Sequence, residues 1–516
     1  MDPEEDWIGS VGYDSSLRPT LKQEEIMARL PRPRLAFLIG ACLLLIPLEG
    51  LGVSAAPAPF GFSRPVYVTS SSLYQAAEPS IRVDASDPNH RIWVTAPTSI
   101  GVDSRSLPGG GTQDGDLFWF SDNNGATWTV KASPGPTIVG GGDSDVITGT
   151  AGEVYGTGLT LANITLAGSC DNGTTFDTNP ISNIGTVEDR QWIDMYEDRP
   201  KPTNGPDFVL NYGGIAERKI WFHQVASVCP PGSPVPSPPV AGPRISATFG
   251  DPNPAAADRY QWPGNIAVDE NTGDVYVTYN TIGSPDRVIV TRIDNGAEVV
   301  PTNPLTDVHP VAAASNRPNT FDSFTVAAVD SASNVYVVWT ERIPSEQGTD
   351  TMLAVSKDRG QTWSAPITVN RLPETHTTVF PWIAAGGPGR ISIVYYATST
   401  PGPSPETVPD TALWRVWMAK SVDATAATPT FREVPATGFM HQGSICTSGT
   451  GCAAGTRDLL DFFMVDLDEE GLANIAYTDN LNTPPQSPDL HQEWITFVQE
   501  CRITSRRTSI PCRPAS

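Results

Sequence analysis

The chain has 516 residues and a formal net charge of −24, from 57 acidic and 33 basic side chains. That balance argues against nucleic acid and anionic membrane surfaces as partners, and it favours solubility. With 45 glycines, 49 prolines and no sustained helical period, the chain reads as all-β.

The N-terminus reads as an export signal. Arg29, Arg32 and Arg34 precede an apolar run from Leu35 to Ile46, and Val53-Ser54-Ala55 offers small residues for cleavage. The run ends near Pro47 and Glu49, too short to span a bilayer comfortably, so no stable membrane insertion is expected after cleavage. Residues 1–26 form an acidic preface before Met27, the expected start of translation. Ile39-Gly-Ala-Cys42 faintly resembles a lipoprotein box, but the apolar run continues past the cysteine. Residues 1–55 are thus assigned to preface and signal, 56–500 to the fold, and 501–516 to a basic tail. The expected location is secreted, extracellular or at the cell surface.

Three copies of an eight-residue phrase follow: Ser121 to Trp128, Ser169 to Phe176 and Ser356 to Trp363. All fit S-x-[DN]-x-G-x-T-[WF]. Short Ser and Asp/Asn side chains bond nearby backbone N–H groups, and the glycine accepts a left-handed conformation. The pattern specifies a turn, with an aromatic that returns the chain to the core. It resembles the Asp-box (BNR) repeat of the sialidase superfamily of β-propellers.

A second repeat runs between these turns: an apolar strand, a turn with Asp and Gly, then a β-branched and aromatic strand. Ile266 to Tyr279 is the clearest copy, and related units begin at Ile81, Val146, Ile193, Ala327, Ile383 and Val465. That makes seven units, or six without the weakest, at Val146. The spacing suits four-stranded antiparallel blades with variable loops. A single all-β propeller with Asp-box turns is the expected fold, seven-bladed in preference to six. Two Pro-rich stretches, from Pro230 to Pro243 and from Pro401 to Pro409, read as surface loops within the ring.

Residues just before each first strand are polar and charged. They include Glu78; Asp143 and Asp145; Asp189, Arg190 and Trp192; Asp258, Arg259 and Trp262. Asp322, His376, Trp382, Arg457, Asp458 and Asp461 continue the series. All of them would surround the mouth of the central channel. Carboxylates there could act as acid and base, arginines could clamp an anion, and tryptophans could stack on sugar rings. The catalytic candidates are Asp189, Asp458 and Asp461. The substrate-binding candidates are Arg82, Arg190, Arg259, Arg457, Trp192, Trp262 and Trp382. Mutual pairing that locks blade to blade is the other reading of the same charges. Arg82, Asp194 and Asp466 fall inside first strands, where Arg82 and Asp466 could seal a closed ring as an ion pair.

Sialidases hold their substrate's carboxylate with three arginines, use a Tyr activated by a Glu as nucleophile, and use an Asp as acid/base. The resemblance therefore implies an exported protein that binds extracellular glycans at the mouth and hydrolyses them as an exo-sialidase type enzyme. A non-catalytic recognition propeller for a polysaccharide or protein partner is the alternative. The family's first arginine lies in an Arg-Ile-Pro phrase, whereas this chain has Pro79-Ser-Ile-Arg82 there and Arg342-Ile-Pro344 elsewhere. The phrase from Gly443 to Cys452 resembles one in uncharacterised exported sialidase-like proteins of bacteria.

Six cysteines remain after cleavage, an even number that reads as disulfides in an exported chain. Cys446 with Cys452, Cys501 with Cys512 and Cys170 with Cys229 are the expected pairs. Zinc is the weaker alternative, since no histidine stands at ligand spacing from a cysteine pair. No cofactor is expected; calcium in an acidic loop is the structural alternative, although no loop carries an EF-hand ligand series. A monomer is expected.

Overall fold

Each repeat unit folds as an antiparallel meander whose first strand carries the apolar run. The first strands of sheets I to VII are Ser80–Asp84, Ser144–Thr148, Glu188–Asp194, Gln261–Val268, Val326–Val329, Thr377–Ala385 and Met464–Leu467. In every sheet the first strand pairs with the second and the second with the third. Sheets V and VI are joined by one parallel pair, Thr349 with Thr377. The structure, a computed structural model, describes residues 60–69, 76–84, 91–98, 115–131, 142–150, 152–160, 163–180, 188–196, 208–214, 219–242, 244–246, 261–281, 287–298, 308–313, 324–343, 348–449, 452–453, 457–482 and 493–502. The expected signal segment and the tail beyond residue 502 lie outside these residues, as do Arg259, Asp258 and Asp322.

In the second strand of sheet IV every position from Val275 to Asn280 is buried, not alternate ones. Burial on both faces follows when sheets stack face against face, so the β-branched and aromatic residues of Val-Tyr-Val-Thr-Tyr serve two interfaces at once. Only two short 3-10 turns, Pro373–Thr375 and Pro405–Thr407, interrupt the strands of sheet VI. Among the described residues, no helix is long and apolar enough to cross a membrane.

The first strands touch one another in order, and that of sheet VII touches that of sheet I. One device recurs at these seams. Asp145 of sheet II accepts a hydrogen bond from Ile193 N of sheet III (3.1 Å), and Asp194 of sheet III accepts one from Val268 N of sheet IV (2.9 Å). Asn265 of sheet IV accepts from Ala327 N of sheet V (2.7 Å), and Asp466 of sheet VII accepts from Val83 N of sheet I (2.8 Å). Each seam joins a side chain to the backbone of the next sheet in the same sense. Asp194 and Asp466 are therefore latches between sheets. Arg82 is not paired directly with Asp466; its guanidinium donates to the Ile81 carbonyl (3.1 Å). Burial disfavours its charge, but the fields of Asp145, Asp466 and Asp194 outweigh that and hold the guanidinium protonated.

The eight-residue turns lie at the opposite end of the sheets from the starts of the first strands. In each, the serine hydroxyl accepts from the glycine N–H (Gly125 2.9 Å, Gly173 2.9 Å, Gly360 2.8 Å) and donates to the Asp/Asn carbonyl oxygen. That same oxygen accepts from Thr127 N, Thr175 N or Thr362 N. Asn124 and Gly125, Asn172 and Gly173, and Arg359 and Gly360 all take positive φ. A Cβ at Gly125 would strike the Phe497 ring, and one at Gly173 would strike Trp93, so glycine also permits close approach to the preceding sheet. A fourth turn of this kind appears in sheet VI. Ser421 donates to Asp423 (2.9 Å), which accepts from Thr430 N (2.9 Å), with Phe431 packed on the core.

Two of the three expected disulfides lie among the described residues. Cys170–Cys229 links the turn of sheet II to the segment after the third strand of sheet III, and Cys446–Cys452 closes a six-residue separation. Cys501 stands in the strand Trp494–Arg502, while Cys512 lies outside the described residues. That strand is completed by the other end of the fold: Phe60–Phe62 and Val66–Tyr67 pair antiparallel with it, Phe60 opposite Arg502.

Candidate functional site

The chain enters several first strands through a kink. Pairing shifts register between Asp189 and Gln191, between Pro263 and Ile266, and between Val379 and Trp382. Four non-glycine residues at these entrances have positive φ: Glu78 (63°), Arg190 (56°), Phe380 (53°) and Leu460 (54°). Each costs on the order of 1–3 kcal/mol, retained only where the surroundings fix the conformation. Bulges of this kind re-aim side chains, here towards one end of the stacked sheets.

Arg190 is the centre of that end. It is 1% exposed, and its guanidinium carbon lies 3.6 Å from the Trp192 ring centroid and 3.9 Å from that of Phe462. Phe324 adds a third ring at 5.4 Å, and Trp382 packs against Trp192 (5.1 Å). Carboxylates flank its edge: Asp143 at 3.5 Å and Glu78 at 3.9 Å. None of its nitrogens makes a hydrogen bond. An aromatic sandwich keeps this charge in place by cation–π attraction while its edge faces the two carboxylates. A second guanidinium, that of Arg457, donates to Asp461 one helical turn's spacing away in sequence.

These groups strongly perturb one another. Burial, reinforced by Asp143, pushes the Asp189 carboxyl up to about 7 against the pull of Arg190. Glu78 is raised well above the usual carboxylate range by burial and then Asp143, despite Arg190 and Arg457. Asp116, at the start of the third strand of sheet I, is raised likewise by burial and Asp143, and neither of its oxygens has a hydrogen-bond partner. Burial also raises Asp461, although Arg457 opposes it. With its carboxyl near 7, Asp189 can hold or release a proton close to neutral pH, beside the ion pairs that Arg190 and Arg457 make.

Most of the predicted site residues meet here. Asp189, Asp461, Arg190 and Arg457 converge, and Trp192 and Trp382 form their wall, 1% and 4% exposed. The ring faces of Trp192 are taken by Arg190 and by neighbouring rings. Asp458 accepts from Asn480 (2.9 Å), which in turn bonds His441 (2.9 Å), a part-buried network within sheet VII. Arg82 lies deeper, within the first strand of sheet I. Trp262 is in the first strand of sheet IV, and Arg259 falls outside the described residues. Asp116, Phe324 and Phe462 were not singled out from sequence. Only Asp116 had a signal, as the lone charge in the strand Gly-Asp-Leu-Phe-Trp-Phe-Ser.

Among the described residues, Tyr395 and Glu433 have the composition of the tyrosine–glutamate couple implied by the sialidase resemblance. Tyr395 O–H donates to Glu433 (2.9 Å), but the ring is fully buried within sheet VI. Burial and Glu433 push the phenol further up, opposite to what an activated nucleophile requires. Among the described residues, no group of three His, Cys, Asp or Glu side chains is placed to hold a metal ion.

No protein-family model matches the chain. No curated protein matches it either. Among solved structures it is similar to a protein of unknown function from Dyadobacter fermentans, with TM-score 0.41, 12% identity, and coverage of 86% of this chain and 98% of that one. It is also similar to an α-L-arabinofuranosidase from Fusarium graminearum, with TM-score 0.43 and 12% identity, covering 85% and 97% of the two chains. The intramolecular trans-sialidase from Ruminococcus gnavus gives TM-score 0.38 and 9% identity, covering 85% and 96%. At such identities no residue's role transfers from these proteins to this chain.

Proposed function

We propose that the seven sheets are blades of one closed propeller, exported from the cell, and that the cluster around Arg190 hydrolyses extracellular glycosides. Asp189 is the general acid: it gives its proton to the glycosidic oxygen as the bond from the anomeric carbon breaks. Asp143, held at 3.5 Å by Arg190, is the carboxylate that stabilises positive charge at that carbon and takes a proton from the attacking water. Asp461 and Arg457 hold the opposite wall. The observation that carries this reading is the Asp189 carboxyl, raised to about 7 beside an arginine-held carboxylate at a strained bulge. Glu78 and Arg190 combine a positive φ with buried polar atoms that lack hydrogen-bond partners, and both Asp116 oxygens lack partners too, which supports chemistry over bracing.

The test is hydrolysis of a panel of chromogenic glycosides, sialosides included, by the exported protein and by Asp189→Asn. Release of one sugar that the variant fails to match supports the assignment. Glycan binding without release, from protein with a wild-type melt, would assign the same mouth to recognition and remove Asp189 as an acid.

A further inference from the structure

We infer that Glu406 is a positioning residue that holds the turn from Arg457 to Phe462 in place against Arg190; its bearing on turnover rests on the reading of the site above. Glu406 belongs to the Pro-rich stretch from Pro401 to Pro409, which folds as a shaped loop of sheet VI. Ser404 N donates to Thr407 Oγ (3.0 Å) and Thr407 N to the Ser404 carbonyl (3.1 Å), closing the 3-10 turn Pro405–Thr407. From that turn one Glu406 carboxylate oxygen accepts three hydrogen bonds from the loop after sheet VI: Thr447 N (2.8 Å), Thr447 Oγ (3.0 Å) and Ser448 Oγ (2.8 Å). Burial opposes the Glu406 charge, but these bonds together outweigh it and hold the carboxyl below its ordinary range. Backbone groups fasten the same loop to sheet VI. Ile445 N donates to the Pro405 carbonyl (3.0 Å), Gly443 N to that of Ala412 (2.9 Å), and Trp414 Nε1 to that of Gly443 (2.7 Å). The Cys446–Cys452 disulfide further limits the conformations open to the residues it encloses.

Contacts run from this loop to the mouth without a gap. The Ser444 carbonyl faces His441 Nε2 (3.3 Å), His441 Nδ1 meets Asn480 Oδ1 (2.9 Å), and Asn480 Nδ2 donates to Asp458 (2.9 Å). Asp458 adjoins Arg457, whose guanidinium donates to Asp461. Leu460, at φ 54°, donates its N–H to the Arg457 carbonyl (3.2 Å). Phe462 then covers the Arg190 guanidinium at 3.9 Å and packs against Trp192 (5.1 Å) and Trp382 (5.6 Å). A left-handed leucine persists only where its surroundings fix it, and the hold on Asp458 contributes to that. Hydrogen bonds, chain connectivity and ring contacts thus link Glu406 to Arg190 continuously, the physical condition for one to position the other.

The experiment measures amide hydrogen exchange over residues 457–463 in the exported protein, Glu406→Ala, Glu406→Gln and Asn480→Ala, beside melting temperature and glycoside turnover. Glu406→Ala is expected to speed exchange there about tenfold or more, with sheets I and IV and the melting temperature unchanged. Glu406→Gln keeps an acceptor oxygen and should restore most of the protection. Asn480→Ala cuts the same connection at its middle, so the double variant with Glu406→Ala should lose no more protection than either alone. For a glycoside that the exported protein cleaves, kcat should fall about tenfold in Glu406→Ala with little change in KM, and recover in Glu406→Gln. Unchanged exchange over 457–463 in Glu406→Ala overturns the inference, whatever the activity. Faster exchange throughout the protein with a lower melting temperature also overturns it, by making Glu406 a general brace. So does faster local exchange with unaltered kcat. Faster local exchange, reversed by glutamine, in a protein that cleaves no glycoside upholds the hold on the turn and removes the hydrolase reading.

Discussion

The two ends of the stacked sheets use the same residue types in opposite states. At the turn end, Asp171 and Asp358 are each bonded by a serine hydroxyl and by threonine N–H groups. Burial is the largest single influence and opposes their charge, but the hydrogen bonds together outweigh it and hold both carboxyls below the ordinary range. At the other end, Glu78 and Asp116 are buried and Asp189 and Asp461 half-buried, with few hydrogen bonds, and all four are raised. A carboxylate whose lone pairs are filled by its own turn is a structural fastening. One removed from water with its lone pairs open stores a proton and waits for a ligand. Charge alone does not tell these apart; the bonding of each oxygen does.

The largest expected effect that tests this contrast is at Asp189. Asp189→Asn is predicted to lower kcat by about 10²–10⁴-fold without lowering the melting temperature. Equal turnover in the variant would place the acid elsewhere. Next is the pair Cys170→Ser with Cys229→Ser, at the turn end, which should cost about 2–4 kcal/mol in denaturant unfolding and leave kcat alone. A change in kcat there would mean the two ends are coupled. Ser356→Ala should cost about 1 kcal/mol by orphaning the Gly360 N–H, again with unchanged turnover.

The smallest effect is one of sign. Asp189 has a folded-state pKa of about 7, above its unfolded value near ~3.9, so its contribution to stability is fully present below ~4 and is lost as pH rises to about 7. Asp358 is depressed, so its contribution is present above ~3.9 and is lost as pH falls through the lower folded value. Asp189→Asn should therefore flatten the loss on the rising side, and Asp358→Asn the loss on the acid side. Asparagine already fills this position at Asn123, where Oδ1 makes the same hydrogen bonds, so the turn survives the change. Urea unfolding across a pH series checks both slopes; slopes of the same sign would end the distinction.

The fold was legible because its signals are local. Three turns carry their own hydrogen-bond code within eight residues, and each apolar strand unit shows its type by β-branched and aromatic content. The fourth turn escaped because three extra residues separate Asp423 from Thr430, which breaks the spacing while preserving the bonds. The site was legible only in outline. The positions before each first strand marked Asp189, Arg190, Arg457 and Asp461, yet they marked Asp458 equally, and it belongs to a part-buried network with Asn480 and His441. Asp194 and Asp466 looked like buried charges in need of counter-charges. Backbone N–H groups of the next sheet serve them alongside the field of Arg82, and no sequence pattern within one strand reveals a partner on another sheet.

Sheet VII takes its first three strands from one end of the fold and its last from the other, with Phe60 opposite Arg502. The clasp can be fastened only after nearly the whole chain has been made. Until then Trp494–Arg502 has a bare edge, the kind of surface that recruits strands from other molecules. Loop-closure entropy for so distant a pairing is large, so the final step of folding should be the slow one, and it should depend on a handful of residues around Phe60. Removing the few residues around Phe60 would then matter more than trimming a loop of far greater length.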